Sequence, residues 1–222
     1  MPDPQTQATT QAQGERATLL ILSGIQFCHV LDFMIMMPLG PFLISALGIS
    51  TQEFAFLVAS YSFSAAAAGV LMAPVVDRFE RKRFLLAIFI AFAVATLMCG
   101  LAPSYALLLV ARGLAGIFGG MMGAMVHTVV ADAIPFERRA KATGYVATAF
   151  SVSSIAGVPL SLLLADALGW QAPFLLIALL SGGLVGVAEV VGQAQVAIAG
   201  LPRPAEPDEF AARVVRVAHD QV

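Results

Sequence analysis

The chain has 222 residues, of which 59% are hydrophobic and only 12% charged, and its mean hydropathy is +0.87. A water-soluble domain carries about a quarter charged residues, so this composition excludes a globule solvated by water alone. The net charge of -2 excludes little, because orientation in a membrane follows the placement of Lys and Arg and not their sum.

Residues 1–16 are polar and Gln/Thr-rich, with Arg16 the only base. They read as a disordered cytoplasmic tail. They are not a signal peptide, since the basic n-region is weak and the apolar run behind it too long. Six apolar segments follow, at 17–47, 54–76, 84–101, 105–131, 142–165 and 173–191. Each can cross a hydrocarbon layer about 30 Å thick. Their continuity predicts helices, because barrel strands would be about ten residues long and alternating. The first and fourth exceed what one crossing needs, which predicts tilt or projection. Pro38 and Pro41 predict a bend in the outer half of the first. Small residues recur at four-residue spacing: Ser60/Ser64/Ala68 in the second segment, Gly116/Gly120 and Gly119/Gly123 in the fourth, Gly182/Gly186 in the sixth. Such faces let helices approach closely. Beyond about residue 199 the run Pro202-Arg203-Pro204-Ala205-Glu206-Pro207 breaks any helix. Residues 208–218 have the pattern of a short amphipathic helix. The expected organisation is therefore an all-α polytopic bundle over 17–198 between cytoplasmic tails at 1–16 and 199–222.

The connecting segments alternate in charge. Gly48–Glu53, Ala102–Ser104 and Asp166–Ala172 hold no base, whereas Asp77–Arg83 holds Arg78, Arg81, Lys82 and Arg83, and Asp132–Lys141 holds Arg138, Arg139 and Lys141. Of the twelve basic residues, all but Arg112 thus fall on one side. The positive-inside rule makes that side cytoplasmic, with both termini there and the protein multi-pass in the plasma (inner) membrane.

Two charges lie within the apolar segments. Asp32 falls near the middle of the first, roughly 20 Å from either end at about 1.5 Å per residue. A carboxylate there costs roughly 3 kcal/mol to insert. Desolvation penalises its ionised form, which makes it a candidate for taking up and releasing protons or for handling substrate. His29, three residues earlier, shares its helical face and is a candidate relay partner. Arg112 lies roughly 10 Å inside the fourth segment. It either snorkels to the surface or faces a polar cavity and pairs with an acid such as Asp32. His127 and Glu189 read as interfacial, and Cys28 and Cys99 as packing residues. No metal-ligand spacing, cofactor motif, nucleic-acid-binding patch or nucleophile arrangement is legible, so neither an enzyme nor a cofactor is expected.

Four motifs resemble those of the major facilitator superfamily. Ala73-Pro74-Val75-Val76-Asp77-Arg78-Phe79-Glu80-Arg81-Lys82 is similar to the family's loop between the second and third helices, with Ala73 and Glu80 at its two glycines. Leu108-Leu109-Val110-Ala111-Arg112-Gly113-Leu114-Ala115-Gly116 resembles the fourth-helix motif around an embedded arginine, and Glu137-Arg138-Arg139-Ala140-Lys141-Ala142-Thr143-Gly144 the basic loop after it. Gly157-Val158-Pro159, followed by Gly169-Trp170-Gln171-Ala172-Pro173-Phe174, resembles the fifth-helix antiporter motif, with Gly157 and Pro159 separated by Val158. The stretch Leu31–Pro38 is similar to the opening helix of bacterial drug or sugar efflux members. The resemblance implies one half of the major facilitator fold, a 3+3 inverted repeat in which Asp32 and Arg112 line a central cavity. It implies an inner-face cluster of Asp77, Arg78, Arg81, Lys82 and Asp132 that latches two halves together. It also implies proton-coupled efflux of a small-molecule substrate. The family has twelve spans, so these six correspond to a truncated product, a half that pairs with a second copy, or a half that joins a separate six-helix partner. The rival expectation is a non-transporting membrane protein acting as a partner subunit.

Overall fold

The structure is a computed structural model. It describes the backbone of residues 4–76 and 81–199, and among them the side chains of 16–71, 83–132 and 134–190. The elements are α1 (Pro4–Met34), α2 (Gly40–Leu47), α3 (Thr51–Val76), α4 (Arg81–Gly100), α5 (Tyr105–Ala133), α6 (Phe136–Val152), a π turn (Ser153–Gly157), α7 (Val158–Leu168) and α8 (Gln171–Ala199). No strand occurs among the described residues. Six stretches are long and apolar enough to cross a membrane: Arg16–Met34, Thr51–Leu71, Arg83–Gly100, Tyr105–Asp132, Phe136–Leu168 and Gln171–Val190. Two units are distinguishable, Met1–Ala188 and Glu189–Val222. The bundle and site described below lie in the first. In the second, residues 189–199 are helical.

Three features depart from the sequence-based expectation. The first apolar segment is two helices, not one bent helix. Pro38 and Pro41 have no N–H to give to the carbonyls of Met34 and Met37, so the α-helical ladder fails twice within one turn. The bonds Ile35 N–H to Leu31 O (2.9 Å) and Leu39 N–H to Ile35 O (3.1 Å) hold the intervening turn together, and Pro41 sits in the first turn of α2. Second, α1 begins at Pro4, within the stretch read as a disordered tail. Its Gln and Ala residues are helix formers and extend the apolar helix behind them. Third, the fifth crossing starts at Phe136, so Arg138, Arg139 and Lys141 lie on its first turns. Glu137 in the first turn favours a helix start there, and Arg139 Nε donates to Ile134 O at 3.0 Å, closing the end of α5.

The remaining boundaries follow from local chemistry. Gly48 adopts φ +62°, ψ +30° after α2, the left-handed stop that glycine takes without steric penalty. Ser50 and Glu53 then form a reciprocal cap on α3. Ser50 N–H donates to Glu53 Oε2 (2.7 Å), and Glu53 N–H to Ser50 Oγ (3.2 Å). Gly169, at φ +97°, reverses the chain between α7 and α8.

Helix α5 is the centre of the bundle, packed on α3, α4, α1 and α6. Its approach to α3 depends on the small-residue faces. A Cβ at Gly116 would fall on the backbone of Tyr61 and on Ser64 Oγ, and one at Gly120 on the backbone of Ala65. Around Gly182 and Gly186 there is open space, so that spacing holds no helix against another here. The core includes Phe89, Phe92, Leu108, Met122, Met125 and Phe174, all fully buried. Leu20, Phe63, Leu163 and Leu179 are about 70% or more exposed. In water such a surface drives association; in a bilayer it is the face that lipid solvates. An open groove of about 690 Å³ between α4 and α8, lined by residues such as Ile90, Val94, Leu97 and Leu179, belongs to this apolar surface.

Candidate functional site: a buried ion pair between α1 and α5

The break after Met34 places Asp32 in the last turn of α1 rather than in the middle of a long helix. Arg112 reaches it from the second turn of α5. Nη1 of Arg112 lies 2.8 Å from Asp32 Oδ2 and 3.4 Å from the Asp32 carbonyl oxygen. That carbonyl is among the last of α1, which the helical ladder leaves open. The guanidinium therefore closes a helix end as well as neutralising a carboxylate, and a cation at a helix C-terminus is favoured by the macrodipole. The two residues are 0% and 1% exposed. Arg112 does not snorkel. Of the two alternatives its sequence position left open, the structure takes the pair.

Aromatic rings complete the enclosure. The Arg112 Cζ atom stands 4.5 Å from the centroid of Tyr61, on α3, and 5.9 Å from that of Phe174, on α8. Both distances are in the range of cation–π attraction. Tyr61 is itself braced by Phe33 at 5.6 Å. On α4, Thr96 and Cys99 lie one turn apart and are fully buried. Both cysteines are buried free thiols, as expected for packing residues.

The site is only partly satisfied by protein. Asp32 Oδ1, Arg112 Nε, Tyr61 Oη, Thr96 Oγ1, His29 Nδ1, Gln26 Oε1 and Ser181 Oγ are buried without a hydrogen-bond partner. Buried polar atoms are nearly always paired, and three of these, on Asp32, Arg112 and Tyr61, belong to the ion pair and the ring stacked on it. The carboxylate has one oxygen committed to Arg112 and one uncommitted. Chemically, such a group can accept a proton, and doing so would dissolve the ion pair.

Other residues singled out from the sequence fall elsewhere. His29 lies one turn before Asp32, with its ring edge-on to Phe92 at 6.3 Å between centroids. Gly157 ends the π turn and Pro159 sits in the first turn of α7. Both belong to a segment packed on α1, where Ser153 Oγ donates to Phe27 O at 3.3 Å and the Leu31 side chain fills the space beside Gly157. Asp132 is exposed in the last turn of α5. Arg81 and Lys82 open α4, with only their backbone described, and Asp77 and Arg78 lie outside the described residues. His127 and Glu189 are exposed. Tyr61, Thr96 and Gln26 were not singled out from the sequence. The one available signal was position: Gln26, His29 and Asp32 are spaced by three, and Tyr61 lies inside the small-residue run of α3. No group of three or more metal-ligating side chains occurs among the described residues.

Similarity to known proteins agrees with this architecture. The sequence model of the Major Facilitator Superfamily matches residues 22–213. Multidrug resistance protein 3 of Bacillus subtilis (strain 168) is 29% identical over 166 residues, which cover 75% of this chain and 32% of that protein. The vacuolar membrane amino acid uptake transporter fnx2 of Schizosaccharomyces pombe is 30% identical over 125 residues, 56% of this chain and 22% of its own length. The chain thus spans about a third or less of these relatives. Among solved structures, a bacterial homolog to the human lysosomal transporter Spinster, inward-facing and unoccupied, superposes with a TM-score of 0.65 at 19% identity over 81% of this chain and 43% of that one. At that identity the likeness speaks to the fold. With six helices able to cross a membrane, the matching fold and a family match over most of its length, the chain is a multi-pass membrane protein and belongs to the major facilitator superfamily.

Proposed function

We propose that this chain supplies one six-helix half of a transport unit that exports small molecules in exchange for protons. The observation that carries this reading is the Asp32–Arg112 pair, wholly buried at 2.8 Å, with the second carboxylate oxygen unpartnered. Two opposite charges inside a membrane bundle are costly, and intramembrane ionisable pairs mark ion and substrate pathways.

Protonation of Asp32 removes its charge and leaves the Arg112 guanidinium without a counter-ion in a low-dielectric site. The cation then needs another partner, and the helices that hold the two residues are driven toward a different arrangement. Deprotonation restores the pair. A cycle of this kind couples proton entry to a change of access. Export is the direction proposed here, and it accords with a Bacillus relative named for multidrug resistance. The Schizosaccharomyces relative is named for uptake, so direction is a property of this reading and not of the family. The second half would be another copy of this chain or a separate six-helix partner, joined at a face left open by the bundle. The inner-face residues Asp77, Arg78, Arg81, Lys82 and Asp132 would latch the halves, and both termini would lie in the cytoplasm under the plasma membrane. Reporter fusions at Arg81 and Arg138 should then report the same side.

The test is transport of ethidium in inverted or reconstituted vesicles under an imposed pH gradient, read in inverted vesicles as uptake into the lumen. Asp32→Asn should abolish gradient-driven export. Full retention of export by that variant would refute the coupling role. A rival reading, a non-transporting subunit, predicts no gradient-dependent flux from this chain in any assembly, including a dimer isolated in detergent.

A further inference from the structure

The ion pair is one end of a longer polar row on α1. Gln26, His29 and Asp32 follow at intervals of three, so they lie on one helical face and advance about 4.5 Å per step. Each presents a buried polar atom without a protein partner: Gln26 Oε1, His29 Nδ1 and Asp32 Oδ1. Three orphaned groups in register along one helix are not accounted for by packing, which would place apolar atoms there.

The surroundings of His29 leave it room. On α5 it faces glycine twice. A Cβ at Gly119 would stand 3.0 Å from His29 Cδ2, and one at Gly123 would stand 3.9 Å from Cε1. The imidazole edge thus lies along a strip of α5 without side chains. The hydroxyl of Tyr61 reaches the same point beside Gly119 from α3, and it too is unpartnered. From α4 the row meets the Phe92 ring. The π turn contributes Ser153, bound to Phe27 O. The titratable groups near His29 are Asp32 and Cys28 on its own helix and Tyr61, which reaches Gly119 from α3.

We infer that Gln26, His29 and Asp32 form a proton path along α1, with His29 as the relay between the Asp32 carboxyl and the N-terminal end of the helix. The inference rests on the coupling role proposed for Asp32. A proton leaving the Asp32 carboxyl passes to the neutral imidazole of His29, giving carboxylate and imidazolium. The imidazolium then releases its proton to water beside Gln26 and returns to the neutral ring. One proton moves and no electrons do. A water between successive groups would carry the proton from step to step. Imidazole suits the middle position because one ring nitrogen can take up a proton while the other releases one. The Gln26 amide can orient water but cannot carry charge.

The experiment is infrared difference spectroscopy on the protein in lipid nanodiscs. The protonated Asp32 carbonyl band is assigned by its loss in Asp32→Asn, and the rate of its hydrogen–deuterium exchange is followed after transfer to D2O. Both His29→Leu and His29→Gln should slow that exchange at least tenfold, while Trp170 fluorescence stays as in the parent protein. Exchange at the parent rate in His29→Leu overturns the path. The parent rate in His29→Gln overturns the relay role, because polarity alone would then suffice. A different failure is distinguishable: if the parent protein shows no protonated Asp32 band between about pH 5 and 9, Asp32 does not titrate, and the coupling reading falls along with the path.

Discussion

Neutralising one member of the Asp32–Arg112 pair should destabilise the bundle far more than breaking an ordinary contact between membrane helices. At an effective dielectric constant near 20, unit charges at the observed 2.8 Å attract by roughly 6 kcal/mol. Desolvation takes back much of that, but it does so for both ions in the intact protein. Removing one partner leaves the other buried and uncompensated, a loss of about 3–5 kcal/mol. Asp32→Asn and Arg112→Gln should therefore each destabilise by about 3 kcal/mol. The double variant, which buries no charge, should be no worse than either single one. The resulting coupling of about 3 kcal/mol or more stands well above the ~0.6 kcal/mol typical of interhelical hydrogen bonds in membranes. Unfolding in mixed micelles can be followed through Trp170, the single tryptophan, which is buried against Phe174 at 6.4 Å. Additivity of the two single effects within about 0.5 kcal/mol would show that the charges do not act as a pair, and the account of the site would fail.

Four further outcomes follow from the packing. Gly120→Ala should destabilise by about 1–3 kcal/mol, because backbone atoms of Ala65 stand where its Cβ must go. Gly113→Ala meets nothing within 4 Å and should be neutral or up to about 1 kcal/mol stabilising in the same micelle titration. Gly119→Ala should destabilise by about 1–2 kcal/mol, and Tyr61→Phe should relieve most of that loss, since the atom in the way is the Tyr61 hydroxyl; no relief would place the clash elsewhere. Cys28 and Cys99 are 3% and 0% exposed, so neither should label with a maleimide in the folded protein, and both should label once it is unfolded.

Much of the architecture was legible because lipid imposes a simple rule. A crossing helix must be long and apolar, and all six crossings announce themselves by that alone. Arg112 and Asp32 were legible for the complementary reason, as opposite charges in apolar segments where little else can satisfy either. The break in the first segment was less so. Pro38 and Pro41 foretell a disturbance, but that it yields two helices rather than a bend depends on what meets the ends of the break, such as Gly40 N–H on the Met37 carbonyl and Arg112, eighty residues away, on the Asp32 carbonyl. Tyr61, Thr96 and Gln26 gave no comparable signal. Uncharged polar residues are ordinary in membrane helices, and their convergence depends on how α1, α3, α4 and α5 pack. The stretch 142–165 missed the start of the fifth crossing because charge was read as loop, whereas Arg138, Arg139 and Lys141 occupy helical turns.

Close packing and charge placement are one arrangement in this bundle. The glycines at 116 and 120 bring α5 against the backbone of α3, and that approach is what sets Tyr61 over Arg112 at 4.5 Å. Were the two helices separated by the width of ordinary side chains, the ring would no longer cover the guanidinium, and water would reach the ion pair from that side. On the other flank, Gly157 lets the fifth crossing lie against Leu31, next to Asp32. The residues that tune the carboxylate are thus presented by helices whose spacing is fixed by the absence of side chains. A change in that spacing alters the dielectric around the pair directly, with no intermediate step required. In the proposed cycle the same geometry works in reverse: a proton on Asp32, by releasing Arg112, would loosen contacts to α1 and α3 together. Charge state and helix spacing are then two descriptions of a single equilibrium, which is the physical requirement for coupling proton movement to a change of shape.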